Sequence, residues 1–581
     1  MSKESQTASY DVVIVGLGPT GLTLAHLLGA RGVRVLALER EPQFYGQARA
    51  VYTDDECMRV FQAARVADEL SAEMVLDGPA QWVLDDGRVL AQFMPRARPY
   101  GWTASNFFYQ PFLETKLEAL LARYPNVLAR RGREVVGFEQ EAAGVRVLHA
   151  ASAGYRYGEA PPSAAAPGEI ETVRARWLVG CDGGRSFVRT ELGIRMVGES
   201  FPEPWLVVDI KAKDGEECFR HLPYFNFYCD PKHPAVSCPQ PRGHHRFEFR
   251  LMPGQTKEHM EDPATVRALL GRHVEVDKIE ILRKLVYTFN ALIAERWREG
   301  RVLLAGDAAH MTPQFMGQGM SSGLRDAYNL AWKLDAVLRG QASERLIDSY
   351  EGERKPHAKE MIDVSVRMKN FVSQQNPAKA ALRNLLVRTV LMTPKLRDYI
   401  REVRFKPPPT YPQGSYLGLR RKGRKSAEGR PIPQPSVRSF DGRPMLLDDV
   451  LGEGFALMGF AADPRATLEA DTVAALEALG TCFVALYPRG GRPQGHAVAR
   501  ATAPGLVEVE DISGEAIVWL RDTGARPGHV ALIRPDKFVY ALVSGGDVTV
   551  AAQHLLRTMD GSLATRQHAR DREELRPLVY S

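Results

Sequence analysis

The chain opens with two apolar runs that are separated by a glycine turn and a stretch of helical periodicity. The first run, DVVIVG, covers residues 11–16, as in a strand buried on both faces. Leucine and alanine are then frequent over residues 20–30, a helix pattern that Gly32 ends. The second run covers residues 33–39. This order predicts a β-α-β unit on a parallel sheet.

Alternation of polar and apolar side chains replaces this pattern between about residues 194 and 288. In HRFEFRLM, the charged side chains of Arg246, Glu248 and Arg250 alternate with apolar ones. A period of two is that of a strand with two different faces. We therefore predict an antiparallel sheet inserted into the first fold, where it forms a wall of a substrate pocket. The strand pattern RVLLAGD at residues 301–307 marks the return to the first fold.

Two proline-rich segments, at residues 406–415 and 420–435, mark a domain boundary, and the second is also basic. No aromatic residues interleave with its cations, so we interpret it as a solvated linker. Apolar runs and a helix pattern at about residues 467–479 then predict a small α/β domain. The predicted division is 1–190 and 291–405 for the first fold with a helical region, 191–290 for the inserted sheet, 406–436 for the linker and 437–581 for the last domain.

Composition narrows the class of protein. The 581 residues are 44% hydrophobic and 25% charged, and the net charge of +6 is small beside 76 basic and 70 acidic residues, so we expect no nucleic-acid partner. No run approaches the roughly 18 apolar residues that span a bilayer, and the polar start lacks a signal sequence. We expect a cytoplasmic protein without a membrane partner.

Cysteine and histidine usage does not favour a metal site. The six cysteines include no CxxC pair, which argues against a disulfide scaffold and a zinc ribbon. A cluster of cysteines and histidines within residues 218–245 is irregularly spaced and interrupted by prolines. We therefore predict no metal ligands.

The turn GLGPTG after the first strand carries the pattern of a dinucleotide site. Gly16 permits a tight turn, Gly18 permits close approach of a pyrophosphate, and Gly21 permits helix and strand to pack. Pro19 and Thr20 begin a helix whose free N–H groups attract phosphate. Glu39 ends the second strand, where it can accept hydrogen bonds from ribose hydroxyls, and we assign the adjoining Arg40 to the same site. The alternative is a purely structural glycine turn.

The segment AGDAAHMTPQFMGQGM distinguishes FAD from NAD. A strand that ends in Gly306 and Asp307 places a carboxylate at the sheet edge, within reach of a ribityl chain. The chain then turns through Pro313, Gly317 and Gly319 into a helix near Met320. The N-terminus of that helix can stabilise negative charge on a reduced flavin.

With these motifs the sequence resembles the flavin-dependent aromatic hydroxylases that use one polypeptide and one FAD. ARWLVGCDGGRSFVR matches the family's middle motif at Asp182 and Gly183, which the resemblance associates with FAD and NAD(P)H, although the segment could equally be a helix-capping turn. The resemblance also implies flavin contacts for Arg49, whose alternative is a surface salt bridge, and for Gln110. It covers most of the first 400 residues and is greatest for the 3-(3-hydroxyphenyl)propionate hydroxylase subgroup.

The resemblance implies an α/β fold: a Rossmann-like FAD-binding domain with an inserted antiparallel-sheet substrate domain, a long helical segment and a thioredoxin-like C-terminal domain. That last domain has only Cys482 and no CxxC pair, so we expect a role in packing or oligomerisation rather than thiol redox chemistry. No second strand-flanked GxGxxG occurs, so NADH or NADPH would bind transiently. A homodimer is left open.

The implied activity is NAD(P)H-dependent hydroxylation of a phenolic acid to a catechol with O₂, through a flavin C4a-hydroperoxide, in aromatic catabolism. A base near a phenol is expected, and its candidates, which could also be packed or surface residues, are His221, Tyr224, Tyr228 and His310. Arg246 or Arg250 could bind a substrate carboxylate, although an internal ion pair is at least as well supported because Glu248 shares their face. The alternatives are hydroxylation of a polycyclic or polyketide phenol, simple oxidation by FAD, and a non-catalytic flavin-binding assembly protein.

Overall fold

The computed structural model describes residues 8–44, 50–154, 170–213, 216–418, 426–439, 442–492 and 505–560. The chain forms two compact units. The first unit consists of the chain up to Ala97, Thr103–Ala327 and Ala358–Pro407. The second consists of Arg98–Trp102, Tyr328–His357 and the chain from Pro408.

The strands of the first unit are β1 (Ser9–Val15), β2 (Val35–Glu39), β3 (Tyr52–Thr53), β4 (Ala80–Val83), β5 (Val89–Phe93), β6 (Asn106–Phe107), β7 (Val127–Arg131), β8 (Arg133–Glu141), β9 (Gly144–Ala151), β10 (Glu171–Gly180), β11 (Met196–Ala212), β12 (Phe225–Tyr228), β13 (Ala235–Pro239), β14 (His244–Arg250), β15 (Ile279–Ala294), β16 (Arg298–Glu299), β17 (Val302–Leu304) and β18 (His310–Met311). Its helices are α1 (Pro19–Ala30), α2 (Asp55–Ala63), α3 (Ala67–Ser71), α4 (Gln110–Leu120), α5 (Phe187–Glu191), α6 (Lys257–Met260), α7 (Pro263–Leu270), the first part of α8 (Gln318–Leu338), the second part of α9 (Arg345–Val372), α10 (Pro377–Leu391) and α11 (Pro394–Arg401).

The first sheet has the order β16-β17-β10-β1-β2-β7, and β8 and β9 extend it from β10. β1 is parallel to both β10 and β2, and β10 is parallel to β17. β1 lies in the middle, and its Val12, Val13 and Ile14 are fully buried, as expected for a strand covered on both faces. The predicted β-α-β unit is confirmed. The carboxyl ends of β1, β10 and β17 are adjacent, so the segments after them meet at one edge.

The second sheet has the order β18-β15-β11-β14-β13-β12-β4-β5. Its neighbours are antiparallel except β12 and β4, which are parallel. The predicted antiparallel sheet is therefore present. Sequence reasoning missed that β4 and β5, from the first hundred residues, complete one end, because runs of four or five residues carry too few alternations to be recognised.

The two faces of this sheet differ as the alternation in β14 predicts, yet both are buried. Phe247 and Phe249 lie on one face, where they pack with Val266 and Leu270 of α7. We call the other face the charged face, because Arg246 and Glu248 lie on it, exposed by only 1% and 5%. Charged side chains at that depth need ion-pair or hydrogen-bond partners.

No helix in the described part of the chain is long and apolar enough to cross a membrane. The long helical region of the first unit, α8 to α11, instead packs partly on the second sheet: Phe371, Val387, Leu391 and Ile400 belong to a cluster around Trp82.

The second unit contains β19 (Ser436–Arg438), β20 (Pro444–Leu446), α12 (Leu447–Leu451), β21 (Ala456–Phe460), α13 (Ala470–Ala478), β22 (Cys482–Pro488), β23 (Leu506–Asp511), α14 (Glu515–Asp522), β24 (Val530–Ile533), β25 (Val539–Val543) and α15 (Val548–Asp560), with the remaining parts of α8 and α9. Its sheet order is β20-β19-β23-β22-β21-β24-β25. β21, β22 and β23 are parallel, whereas β24 and β25 are antiparallel. This is the small α/β domain that the sequence predicts; its thioredoxin-like character stays a prediction.

A buried ion cluster joins α8 and α9 to the sheet within the second unit. Arg534 donates to Glu353 at 2.7 Å and 2.8 Å and to Asp536 at 2.6 Å, and Lys333 donates to Glu353 at 2.7 Å. Burial alone would raise the pKa of Glu353, but Arg534 and Lys333 lower it to about 2. The carboxylate therefore stays ionised and paired.

Candidate functional site

The turn between β1 and α1 requires glycine at two positions and leaves space at a third. Gly16 has φ +100°, and a Cβ there would lie 2.5 Å from the carbonyl oxygen of Cys181. A Cβ on Gly21 would lie 2.0 Å from the carbonyl oxygen of Gly16. A Cβ on Gly18 would meet nothing within 4 Å. The first two glycines are required for packing, whereas Gly18 borders open space in which a ligand can approach the backbone.

The N-terminus of α1 presents its N–H groups to that space. Gly18 is the N-cap and Pro19 the first helical residue, and no side chain caps this end. The first amides of a helix carry partial positive charge and bind phosphate well. The arrangement therefore fits a pyrophosphate, as the sequence predicts for Gly18, Pro19 and Thr20.

Glu39 lies at the end of β2, beside the turn. Its Oε2 accepts the Leu17 N–H at 2.9 Å, and its Oε1 accepts the Glu41 N–H at 3.0 Å. Each carboxylate oxygen has a second lone pair, so a ribose hydroxyl can still donate to it. The neighbouring Arg40 forms an ion pair with Glu41 at 3.4 Å. The bracing of the turn by Glu39 was not predicted from the sequence.

The segment after β10 lies against the glycine turn, and its acid caps a helix. Asp182 Oδ1 accepts from Ser186 Oγ at 2.6 Å, and Asp182 Oδ2 accepts the Val188 N–H at 3.1 Å. Gly183 follows with φ +79°. This is the helix-capping alternative for Asp182. Arg189 Nη1 donates to the carbonyl of Ala308 at 3.1 Å, which joins this segment to the one after β17.

The segment after β17 is held by a buried carboxylate that sequence reasoning missed. Asp326 Oδ2, on α8, accepts the Gly306 N–H at 3.0 Å and lies 2.6 Å from Nε2 of His310. Asp326 and His310 are fully buried. These bonds fix the 3₁₀ turn Gly306–Ala308 that carries the half-buried Asp307. The only signal was the position of Asp326 on the buried face of the predicted helix.

His310 is a packed core residue in this structure. Its ring lies 5.1 Å from that of Trp297, in addition to its bond with Asp326. The predicted candidates Pro313 and Gly317 follow in the loop that enters α8, and Gly317 is left-handed with φ +62°. α8 begins at Gln318, two residues before the predicted helix start near Met320, so Gly319 lies within its first turn.

A charged cluster ties the first turns of α8 to α2. Arg325 donates to Asp54 at 2.5 Å and to Glu56 at 2.6 Å, and Lys406 donates to the same carboxylates at 2.9 Å and 2.8 Å. Gln318 Nε2 also donates to Asp54 at 3.1 Å. Burial would raise the pKa of Asp54, but Arg325 and Lys406 hold it well below its usual range. The direction of the α8 N-terminus is therefore set by buried charges.

The resemblance also implied flavin contacts for Gln110 and Arg49. Gln110 begins α4; its Oε1 accepts the Ala50 N–H at 2.7 Å and its Nε2 donates to Glu114 at 2.5 Å. It therefore holds the backbone next to Arg49. Arg49 itself lies outside the described residues.

A row of charges crosses the charged face of the second sheet. Arg246 donates to both oxygens of Asp209, at 2.6 Å and 3.1 Å, and Arg283 Nη2 lies 2.6 Å from Asp209 Oδ2. Burial would raise the pKa of Asp209, but the two guanidiniums lower it. Arg250 pairs with Glu203 at 3.0 Å. Both arginines that the sequence offered for a substrate carboxylate are thus in internal ion pairs, with partners other than Glu248.

Glu248 lies one row along from Asp209 on the charged face. Burial raises the pKa of Glu248 to about 7, although Arg246 opposes this. The side chain of Gln314, in the loop before α8, lies beside it. In the same loop, Phe315 contacts Trp205 of the charged face, with ring centroids 5.2 Å apart. The charged face and the loop that leads into α8 therefore enclose one region.

Two of the remaining candidate bases lie away from that region. Tyr228 packs with the cluster on the opposite face, its ring 4.8 Å from His273, and burial raises its pKa. His221 is exposed, with Nε2 2.8 Å from the carbonyl oxygen of His273. Tyr224 is half-buried. Within the described residues, no group of three or more histidine, cysteine, aspartate or glutamate side chains suits a metal ion.

The sequence matches two known families. Residues 9–365 match the FAD binding domain family, and residues 429–558 match the HcaD C-terminal domain. A 3-(3-hydroxy-phenyl)propionate/3-hydroxycinnamic acid hydroxylase of Burkholderia cenocepacia (strain HI2424) is 39% identical over 534 residues, 91% of this chain and 93% of that protein. A protein of the same name from Klebsiella pneumoniae (strain 342) is 36% identical over 97% of both chains.

Solved structures share the fold. The flavin-dependent monooxygenase PieE, in complex with FAD and substrate, has a TM-score of 0.73 at 21% identity and covers 95% of this chain and 99% of its own. Aklavinone-11 hydroxylase, with FAD and aklavinone, has a TM-score of 0.70 at 24% identity and covers 96% and 99%. The chain belongs to the family of FAD-dependent aromatic hydroxylase monooxygenases. Its cofactor is FAD, so the predicted resemblance is confirmed.

Replacing Gly18 or Gly21 with alanine should distinguish a glycine that leaves room for a ligand from a glycine that is required for packing. Gly18→Ala places its methyl group in the open space, so we expect FAD affinity to fall at least tenfold while the Tm of the apoprotein is unchanged. Gly21→Ala forces its methyl group into the Gly16 carbonyl, so we expect the Tm of the apoprotein to fall as well. Thermal unfolding and fluorescence titration with FAD measure the two effects, and wild-type affinity in Gly18→Ala would contradict this geometry.

Proposed function

We propose that this chain is an NAD(P)H-dependent FAD monooxygenase that hydroxylates a phenolic acid of the 3-(3-hydroxyphenyl)propionate type to a catechol. The observation that carries the proposal is the 36–39% identity, over at least nine-tenths of the chain, to relatives named 3-(3-hydroxy-phenyl)propionate/3-hydroxycinnamic acid hydroxylase. The charged face supports an anionic aromatic substrate. We expect the enzyme to be located in the cytoplasm. It could act as a homodimer.

We further propose which residues hold FAD. The turn and helix start at Gly16, Gly18, Pro19, Thr20 and Gly21 would bind the pyrophosphate, and Glu39 with Arg40 the adenosine ribose. Asp307 would bind the ribityl chain, with Gly306 shaping its turn. The loop and helix start from Pro313 through Gly317 and Gly319 to Met320 would bind the flavin ring. Arg49, Gln110, Asp182 and Gly183 complete the proposed set, Gln110 and Asp182 through the backbone that each one holds in place.

Bound FAD supplies oxygen-transfer chemistry, with electrons from NADH or NADPH. The protein must position the ring and exclude water, because water in the site diverts the oxygen chemistry. Trp205 and Phe315 are both buried and contact each other between the charged face and the loop before α8. We propose that they close this region to solvent.

We propose Glu248 as the acceptor of the phenol proton, in place of His221, Tyr228 and His310, which the sequence suggested together with Tyr224. Of those four, His310 is bonded to Asp326, and His221 and Tyr228 lie away from the charged face. Glu248 is buried beside the loop that leads into α8, and burial raises its pKa to about 7. A carboxylate with that pKa is well matched to a proton transfer at neutral pH.

The charge balance of the face fits an anionic substrate. Arg246 and Arg283 carry two positive charges beside the single charge of Asp209. When Glu248 takes up the phenol proton, the row has one positive charge in excess, and the phenolate formed in the same step would neutralise it. We therefore propose that the phenol oxygen of the substrate lies near this row.

A screen of phenolic acids tests the proposed activity. We expect 3-(3-hydroxyphenyl)propionate or a close relative to stimulate NADH or NADPH oxidation by the FAD-loaded enzyme, with a product 16 Da heavier, the mass of one added oxygen. 3-Phenylpropionate, which lacks the hydroxyl group, is the control and should give no hydroxylated product. Stimulation by polyketide phenols alone would favour the polycyclic alternative, and stimulation by no phenol would refute the proposal.

Replacement of Asp307 tests the ribityl contact. Asp307→Ala should lose FAD during gel filtration, because a charge-assisted hydrogen bond to a hydroxyl is removed; such a bond contributes about 1.5–3 kcal/mol, or roughly ten- to a hundredfold in affinity. Asp363→Ala, on the exposed side of α9, is the control and should keep its FAD. Full flavin occupancy in Asp307→Ala would contradict the assignment.

The pH profile of the Glu248→Gln variant tests the proton acceptor. In the wild type, kcat/KM should rise with pH through about 7, as Glu248 becomes ionised and able to accept the proton. Glu248→Gln should lower kcat/KM by about 10²–10⁴-fold and remove that limb. Glu280→Gln, at an exposed position on β15, should keep the wild-type profile. An unchanged limb in Glu248→Gln would assign the proton to another group.

A further inference from the structure

Among the described residues of the first unit, α10, α11 and the turn between them carry a dense run of exposed large apolar side chains. Six large apolar side chains within eighteen residues are exposed there, among them Met392 at 81% and Leu385 at 62%: Leu382, Leu385, Leu386, Met392, Leu396 and Tyr399. We call this set the α10–α11 surface. Contiguous exposed apolar surface of this kind marks an interaction site more often than chance.

This surface is not the side by which the two helices pack on the protein. Val387 and Leu391 of α10 and Ile400 of α11 face inward, against the cluster around Trp82. Arg383 also points inward, where it donates to the carbonyl oxygens of Phe371 and Cys229. The helices are therefore held by their inner faces, and the outer leucines take no part in that packing.

Positive charge surrounds the apolar side chains. Residues 376–397 contain five lysines and arginines and no aspartate or glutamate. Lys379, Arg388, Lys395 and Arg397 are exposed. The next two acids already have partners: Asp398 pairs with Arg401 of the same helix at 3.2 Å, and Glu402 accepts the Arg96 N–H at 2.9 Å.

The positive charge around the α10–α11 surface favours an anionic lipid surface over a second copy of the chain as its partner. A second copy bound on a two-fold axis would bring the same cations against each other, which costs energy at the short distances of an interface. An anionic lipid surface has the complementary charge, and amphipathic helices bind such surfaces by inserting apolar side chains while lysine and arginine reach the phosphates.

We propose that the α10–α11 surface docks the protein on anionic lipid membranes. The leucines and Met392 would enter the interface between headgroups and acyl chains, and the cations would contact lipid phosphates. From the lack of an apolar spanning segment in the sequence we expected no membrane partner. Peripheral binding needs no such segment, so the proposal replaces that expectation. The proposal does not depend on the identity of the substrate.

Vesicle co-sedimentation of the full-length, FAD-loaded protein tests this. We expect binding to vesicles of phosphatidylglycerol and phosphatidylcholine in equal amounts, at least tenfold weaker binding to pure phosphatidylcholine, and loss of binding in 1 M salt. The triple variant Lys379→Gln, Arg388→Gln, Lys395→Gln should bind at least tenfold more weakly, since each cation near such a surface contributes about fivefold.

Two triple-serine variants test whether vesicle binding requires the α10–α11 surface or only exposed apolar side chains in general. Leu382→Ser with Leu385→Ser and Met392→Ser should lose vesicle binding while keeping FAD. The matched control changes three exposed apolar side chains of the first unit outside these helices: Leu128→Ser, Ile170→Ser and Val197→Ser. It should bind as the wild type does.

Three outcomes would overturn the proposal. Equal binding to both vesicle compositions would remove the role of charge, and equal loss in both serine variants would remove the role of this surface. Absence of vesicle binding by the wild type would also overturn it. In that case sedimentation velocity tests the alternative occupant: a dimer that the Leu382→Ser, Leu385→Ser, Met392→Ser variant loses would assign the surface to a second copy.

Discussion

The carboxylate of Asp326 joins the two segments that we propose as the flavin half of the site. It accepts the Gly306 N–H and bonds to His310, both after β17, while it belongs to α8. All three residues are buried, so loss of one partner leaves a polar group without water, which costs about 1–3 kcal/mol. The turn that carries Asp307 and the start of α8 are therefore held in one fixed geometry.

The neighbouring residue, Arg325, anchors the same helix in another direction. Successive residues of a helix point about 100° apart, so Asp326 bonds toward β17 while Arg325 bonds to Asp54 and Glu56 of α2. Two charges of opposite sign thus orient one helix end between two elements. The N-terminus of α8, held in this direction, carries the partial positive charge of a helix start. That preorganisation suits a site in which negative charge develops on a bound ring.

The local parts of this architecture could be predicted from the sequence, and the long-range pairings could not. An apolar run, a glycine turn and a helix pattern lie within thirty residues, so their periodicity determines β1, α1 and β2. By contrast, Lys406 reaches Asp54 across 352 residues, and no pattern specifies such a partner. The same limit explains the second sheet: alternation placed Arg246 and Glu248 on one face, but which acid pairs with Arg246 depended on the register of β11 and β14.

The second sheet also has a consequence for how the chain reaches its native state. β4 and β5 precede the other strands of this sheet by more than a hundred residues, yet β4 pairs in parallel with β12. The β4–β5 hairpin therefore cannot pair with β12 until residues 225–228 have been synthesised. β18 completes the other edge of the sheet only at residues 310–311. Native contacts of such sequence separation slow folding and expose unpaired edges to aggregation in the interval. The second sheet can therefore be completed only late in synthesis, after residue 311 has emerged.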